Sequence, residues 1–170
     1  MLKPIQVALL VAITAIAVPT VWIVAGFSNT AIRQPLPFSH KIHVAEIELE
    51  CTECHTRVME HQRATLPLLE VCQDCHSEAL TESEIESQLL AYTTEDQAIP
   101  WERIYAIPDH VYFSHRRHVV LGELACEVCH GDVSSFDLPP TAPVVAITMD
   151  GCMDCHEENH ITNDCLACHR

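Results

Sequence analysis

Hydrophobic and polar residues divide this chain unevenly. From Ile5 to Phe27 it is apolar apart from Gln6, Thr14 and Thr20, and it carries no charge. A helix over that run spans roughly 34 Å, enough to cross the hydrocarbon core of a bilayer. Pro19 is tolerable in such a helix, and Lys3 ahead of it favours a cytoplasmic N-terminus. Ala15-Ile16-Ala17 resembles a signal-peptide cleavage site, but a cut there would leave Pro19, Trp22, Ile23 and Val24 at the new terminus. Residues 1–30 are therefore expected to be an uncleaved, single-pass N-terminal transmembrane helix. Beyond them the clearest periodicity follows Thr81 and Glu84, a capping-box pair, with Ile85, Leu89 and Tyr92 on one helical face. Pro100 bounds that helix, and Pro139-Pro140 to Pro143 predict a loop. No alternating run predicts a strand, so short helices and much irregular backbone are expected.

The cysteines give the second pattern. All ten fall in five copies of Cys-x-x-Cys-His: Cys51, Cys54 and His55; Cys72, Cys75 and His76; Cys126, Cys129 and His130; Cys152, Cys155 and His156; Cys165, Cys168 and His169. The motif is the attachment signature of c-type haem, in which two thiols bond the porphyrin and the adjacent His ligates the iron. A disulfide framework has no reason to place His after each pair. A zinc site needs two pairs, or a pair with more distant His, converging on one ion. The expected cofactors are five covalently attached c-type haems, with the haem-bearing region on the extracytoplasmic, periplasmic side of the membrane.

Length then bounds the fold. About 140 residues are too few to build a side-chain core around each of five cofactors, so the haems must supply most of the buried apolar surface. The fold class expected is mostly irregular, with short α-helices wrapped around five haems. Formal charge is −15, which excludes nucleic acid as a natural partner and suits docking to a basic electron-transfer protein. Lys41, Arg57, Arg116 and Arg117 lie within or beside the haem motifs, where pairing with haem propionates is expected.

Pro37-Phe38-Ser39-His40-Lys41-Ile42-His43-Val44 and Tyr112-Phe113-Ser114-His115-Arg116-Arg117-His118-Val119 are near copies, each ahead of a haem motif. The duplication divides the chain into the anchor, haem unit one (31–80, two haems), a helical connector (81–108) and haem unit two (109–170, three haems). Twelve histidines minus five in the motifs leave His40, His43, His61, His110, His115, His118 and His160. In each copy two histidines are three apart, so on a helical turn they lie about 5–6 Å from one another and can serve two different irons.

The Phe-Ser-His-x-x-His frame resembles the class III multihaem cytochromes of the c3 and c7 type. That resemblance implies distal ligation by His40 for the Cys51/Cys54 haem and by His43 for the Cys72/Cys75 haem. It likewise implies His115 for Cys126/Cys129 and His118 for Cys152/Cys155. For the fifth haem the family places a distal His just before the preceding motif, where this chain has Thr148-Met149-Asp150-Gly151. Met149 is the first candidate there and His160 the alternative, with His110 and His61 behind. A longer stretch resembles the membrane-anchored pentahaem subunit of alternative complex III and of menaquinone reductase complexes. It runs through Ile99-Pro100-Trp101-Glu102-Arg103 and Pro108-Asp109-His110-Val111-Tyr112-Phe113-Ser114-His115, with Phe38 to His76, Cys126-Glu127-Val128-Cys129-His130-Gly131 and Met149.

What the resemblance implies is an electron-transfer relay in a quinol-oxidising respiratory or photosynthetic complex of the cytoplasmic membrane. Its partners would be multi-span quinol-binding and iron–sulfur subunits, with a soluble cytochrome c or copper protein as acceptor. No catalytic residue is expected in the chain itself. Two alternatives stay open from the residues: a multihaem reductase with an open iron position, and a small cytochrome that oxidises quinol directly.

Overall fold

In the computed structural model the described residues are Gln6 and 32–170, so the expected transmembrane helix, Gln6 apart, lies outside them. Among the described residues no helix is long and apolar enough to cross a membrane. Ile32–Arg170 forms one compact unit. It contains six α-helices: α1 (Cys51–Cys54), α2 (Leu69–Gln73), α3 (Glu84–Glu95), α4 (Glu127–His130), α5 (Met149–Glu158) and α6 (Cys165–Cys168). Two wider π-helical turns, π1 (Lys41–Glu46) and π2 (Arg117–Leu121), and a 3-10 turn over Val133–Ser135 complete the regular structure. The rest is irregular apart from an isolated bridge between Val111 and His169.

Four of the α-helices are four or five residues long, too short to persist by propensity alone. Local capping sustains three of the motif helices. Glu50 and Glu53 form a capping box on α1, the Thr148 hydroxyl accepts from Gly151 on α5, and Asp164 accepts from Leu166 on α6. α3 is longer because its sequence is a better helix former, but its start differs from expectation. Ser83, not Thr81, is the N-cap, accepting from the Ile85 amide. Leu89 and Tyr92 face inward as expected, whereas Ile85 is 44% exposed and Glu86 is buried in its place.

Four hydrophobic side chains are buried among the described residues: Leu36, Val58, Leu69 and Ile99. Leu36, Leu69 and Ile99 form one small cluster with Cys72, Leu89, Tyr92 and Trp101 against it, seating α3 on α2. Elsewhere main-chain hydrogen bonds tie distant segments. Lys41 N donates to Phe136 O (3.0 Å), His115 N to Gln62 O (3.0 Å), Tyr112 N to Cys168 O (2.8 Å) and Arg170 N to His110 O (3.1 Å). The stretches around the two sequence copies are thus laced together by backbone, with the Arg63–Asp109 ion pair at 3.1 Å beside them.

Thr81 has a different task. Its amide (2.7 Å) and hydroxyl (2.5 Å) both donate to Glu86 Oε2, while Leu80 N (2.9 Å) and His76 Nδ1 (2.8 Å) meet Oε1. The Thr81 hydroxyl, followed by the Leu80 amide, His76 and the Thr81 amide, pulls the Glu86 carboxyl from 4.5 down to about 2 against the opposing effect of burial. A carboxyl depressed in the fold stabilises it fully above its unfolded value and loses that contribution as pH falls through the folded one. Hydrogen-exchange protection of the Leu80 and Thr81 amides in the intact protein is therefore expected to fall between pH 4.5 and about 2. Glu86→Gln removes that acid dependence.

Candidate functional site: five Cys-x-x-Cys-His turns and facing imidazoles

Each motif winds into one helical turn, which puts its two thiols and its imidazole on a common face. The amide of the motif His donates to the first Cys carbonyl in four copies: His55 to Cys51 (2.9 Å), His76 to Cys72 (2.8 Å), His130 to Cys126 (3.0 Å) and His169 to Cys165 (2.8 Å). His156 lies within α5. None of the ten cysteines is joined in a disulfide. After α4 the chain turns at Gly131, whose φ of +68° and 2.7 Å approach of a would-be Cβ to Val144 require glycine.

The two sequence copies fold alike to fine detail. Phe38 stacks on His43 at 4.4 Å and meets His40 edge-on at 5.0 Å; Phe113 stacks on His118 at 4.8 Å and meets His115 edge-on at 4.8 Å. His43 Nδ1 lies 2.8 Å from Ser39 O, and His118 Nδ1 lies 2.9 Å from Ser114 O. The expected helical turn is widened into π1 and π2, each closed by a bond across five residues: Ile47 N to Ile42 O and Gly122 N to Arg117 O, both 2.9 Å. π-turns of this kind recur at functional sites.

Imidazoles of the copies face imidazoles of the motifs. Ring centroids are 6.3 Å apart for His43 and His76, 6.3 Å for His115 and His130, and 6.2 Å for His118 and His156. His110 faces His169 at 5.6 Å with the rings 22° from parallel. His40 stands beside His55, whose charge, after burial, lowers the His40 pKa. Metal–imidazole bonds are about 2 Å, so two rings on opposite sides of one iron have centroids about 6 Å apart. The observed gaps fit that requirement.

Protonation fits as well. Nδ1 of His55 lies 3.0 Å from Thr65 O, that of His156 3.1 Å from Thr162 O, and that of His76 2.8 Å from Glu86. These oxygens only accept, as do those facing His43 and His118, so Nδ1 carries the proton and Nε2 keeps the lone pair a metal needs. His115 Nδ1 sits between Gln62 O (3.2 Å) and Ala64 N (3.3 Å). Burial is the main cause lowering the pKa of His40, His115 and His130, which favours the neutral, ligating ring. Exposed Val128, Met153 and Leu166 beside the motifs offer apolar surface for a porphyrin face. The residues present fit c-type haem.

Two candidates stand apart. Met149 is 62% exposed at the start of α5. His160 is exposed on a left-handed residue (φ +56°) after α5. His61 lies beside Arg57, 3.4 Å away. Lys41 pairs with Asp137 at 3.4 Å, both side chains exposed. Two groups passed over in the sequence acquire clear positions, Glu86 on His76 and Tyr105, whose ring abuts His130 at 4.8 Å while its hydroxyl accepts from Val144 N at 3.1 Å. Nothing in the local sequence of either singles it out.

The motifs adjoin in a definite order. Burial raises the thiol of Cys54, and Cys75 raises it further; Cys72 is raised by burial and then by Cys54. Cys51 is raised by burial and then by the neighbouring Cys126. Cys129 feels Cys155 and Cys152 after burial, and Cys152 feels Cys168. The second motif thus neighbours the first, the first the third, the third the fourth and the fourth the fifth.

Residues 111–170 match the family described as cytochrome c7 and related cytochrome c. The chain is also 33% identical over 162 residues to the multiheme cytochrome c subunit of menaquinone reductase from Nitratidesulfovibrio vulgaris. That match covers 81% of this chain and 77% of the relative. With the facing imidazoles and the thiol-bearing turns, it identifies the chain as a member of the class III-type multihaem cytochromes c, electron-transfer proteins with covalently bound haem.

Proposed function

We propose that this cytochrome is a membrane-anchored pentahaem electron relay in a quinone-linked complex of the cytoplasmic membrane. The apolar Ile5–Phe27 run would be its single-pass anchor, with the haem-bearing region on the extracytoplasmic side. The observation that carries the relay reading is the set of facing imidazoles, which gives four motifs a candidate ligand opposite the motif His, with His40 near His55 for the first. Bound haem supplies a one-electron iron couple whose potential follows axial ligands, their hydrogen bonds and burial.

In this reading Cys51, Cys54, Cys72, Cys75, Cys126, Cys129, Cys152, Cys155, Cys165 and Cys168 attach five haems. The axial pairs are His55 with His40, His76 with His43, His130 with His115, and His156 with His118. For His169 the geometry favours His110, whose ring faces it at 5.6 Å, over the exposed Met149 and His160. The backbone links Tyr112–Cys168 and Arg170–His110 hold those two rings together. Were these residues to fill both axial positions, no iron would offer a site for substrate, which favours relay over reductase.

Partners follow by analogy with the relative, a subunit of a menaquinone reductase. A multi-span quinone-binding subunit and an iron–sulfur subunit would exchange electrons with this chain, and a soluble cytochrome c or copper protein would sit at the other end. The family resemblance suggests quinol oxidation, while the relative's name favours the reverse direction, reduction of menaquinone.

Two outcomes check the reading. His110→Ala should convert one haem in five to a high-spin ferric signal in electron paramagnetic resonance, whereas Met149→Leu and His160→Ala leave all five low-spin; the opposite pattern would return the sulfur or His160 to the iron. Gentle solubilisation of membranes should co-purify a multi-span quinone-binding subunit, and the isolated chain should neither bind cyanide as prepared nor be reduced by menaquinol. Cyanide binding would support a reductase, and direct menaquinol oxidation a self-sufficient quinol dehydrogenase.

A further inference from the structure

Among the motif histidines, His76 has a distinctive partner. The Nδ1 atoms of His55 and His156 meet main-chain carbonyls, as do those of His43 and His118 in the sequence copies. His76 Nδ1 instead meets a carboxylate, Glu86 Oε1, at 2.8 Å, and the Glu86 side chain is only 6% exposed. That carboxylate is held from behind by Leu80 N, Thr81 N and the Thr81 hydroxyl. It arrives from α3, packed on α2 through the Leu36–Leu69–Ile99 cluster, so its position is set by the fold.

A carboxylate attracts the Nδ1 proton more strongly than a carbonyl does. The ring gains anionic character, and Nε2 becomes a better electron donor. A stronger donor stabilises ferric over ferrous iron.

We propose that Glu86 is a positioning residue that lowers the midpoint potential of the haem held by Cys72, Cys75 and His76, making that haem harder to reduce. This rests on the ligand reading above, with His76 and His43 on that iron. Thr81 tempers the effect, because its hydroxyl competes with His76 for the carboxylate's electron density.

The test is a spectroelectrochemical titration of the intact, five-haem protein and three variants. His43→Met marks the component belonging to the second haem by raising its potential. Glu86→Gln is expected to move that same component positive, by at least tenfold in its oxidised-to-reduced ratio at fixed ambient potential (about 59 mV for one electron), with every haem still low-spin. Thr81→Val keeps the carboxylate, removes its competitor, and should move the component the other way. Opposite signs distinguish donor tuning from a loosened site, which would shift both variants alike. The proposal is overturned if Glu86→Gln leaves all midpoints in place, or if both variants shift in one direction. Should His43→Met change neither spectrum nor titration, the ligand reading itself fails and takes the proposal with it.

Discussion

Facing imidazoles separated by two metal–ligand bond lengths are the constraint around which this polypeptide is arranged. Three pairs stand at 6.2–6.3 Å. An imidazole left to itself rotates about two side-chain bonds, so holding such a gap needs a second point of attachment on each ring. Main-chain carbonyls of Ser39, Ser114, Thr65 and Thr162 supply it by accepting from Nδ1. Since a carbonyl only accepts, the same bond fixes orientation and tautomer together. The widened turns π1 and π2 follow from that requirement, placing two histidines three apart while the serine carbonyl of each copy closes on the second ring.

With so much of the chain committed to positioning rings and thiols, little is left for a conventional core. One small cluster around Leu36, Leu69 and Ile99 seats α3; the remaining long-range order comes from backbone bonds joining 41 to 136, 62 to 115, 112 to 168 and 110 to 170. The first two of these links cross between the stretches that sequence duplication marks as two haem units, and the other two close unit two on itself, in keeping with the one compact body of residues 32–170. The haem groups of the family then belong to the fold as much as to the function, because apolar side chains such as Leu166, 81% exposed in protein atoms, adjoin the attachment turns.

Much of the site was legible in the sequence because its chemistry is local. Cys51 to His55 and the four similar motifs span a single turn, and the Phe38–His43 and Phe113–His118 repeats lie within short frames. Irregular backbone with short helices was equally readable from the missing periodicity. What sequence could not supply were relations across the fold. His110 meets His169 only through the pairing of chain segments 110–112 and 168–170, whereas Met149 looked favoured from its position next to Cys152. Glu86 was indistinguishable from its acidic neighbours on α3, since Thr81 resembled an N-cap until Ser83 was found in that role and Thr81 on the carboxylate.

The most direct measurement of the central claim is the intact mass of the denatured full chain isolated from its native host. The account predicts the mass of the polypeptide plus five covalently retained haem groups, two thiols to each. A mass equal to the polypeptide alone, or to fewer than five additions in fully matured protein, would contradict the account.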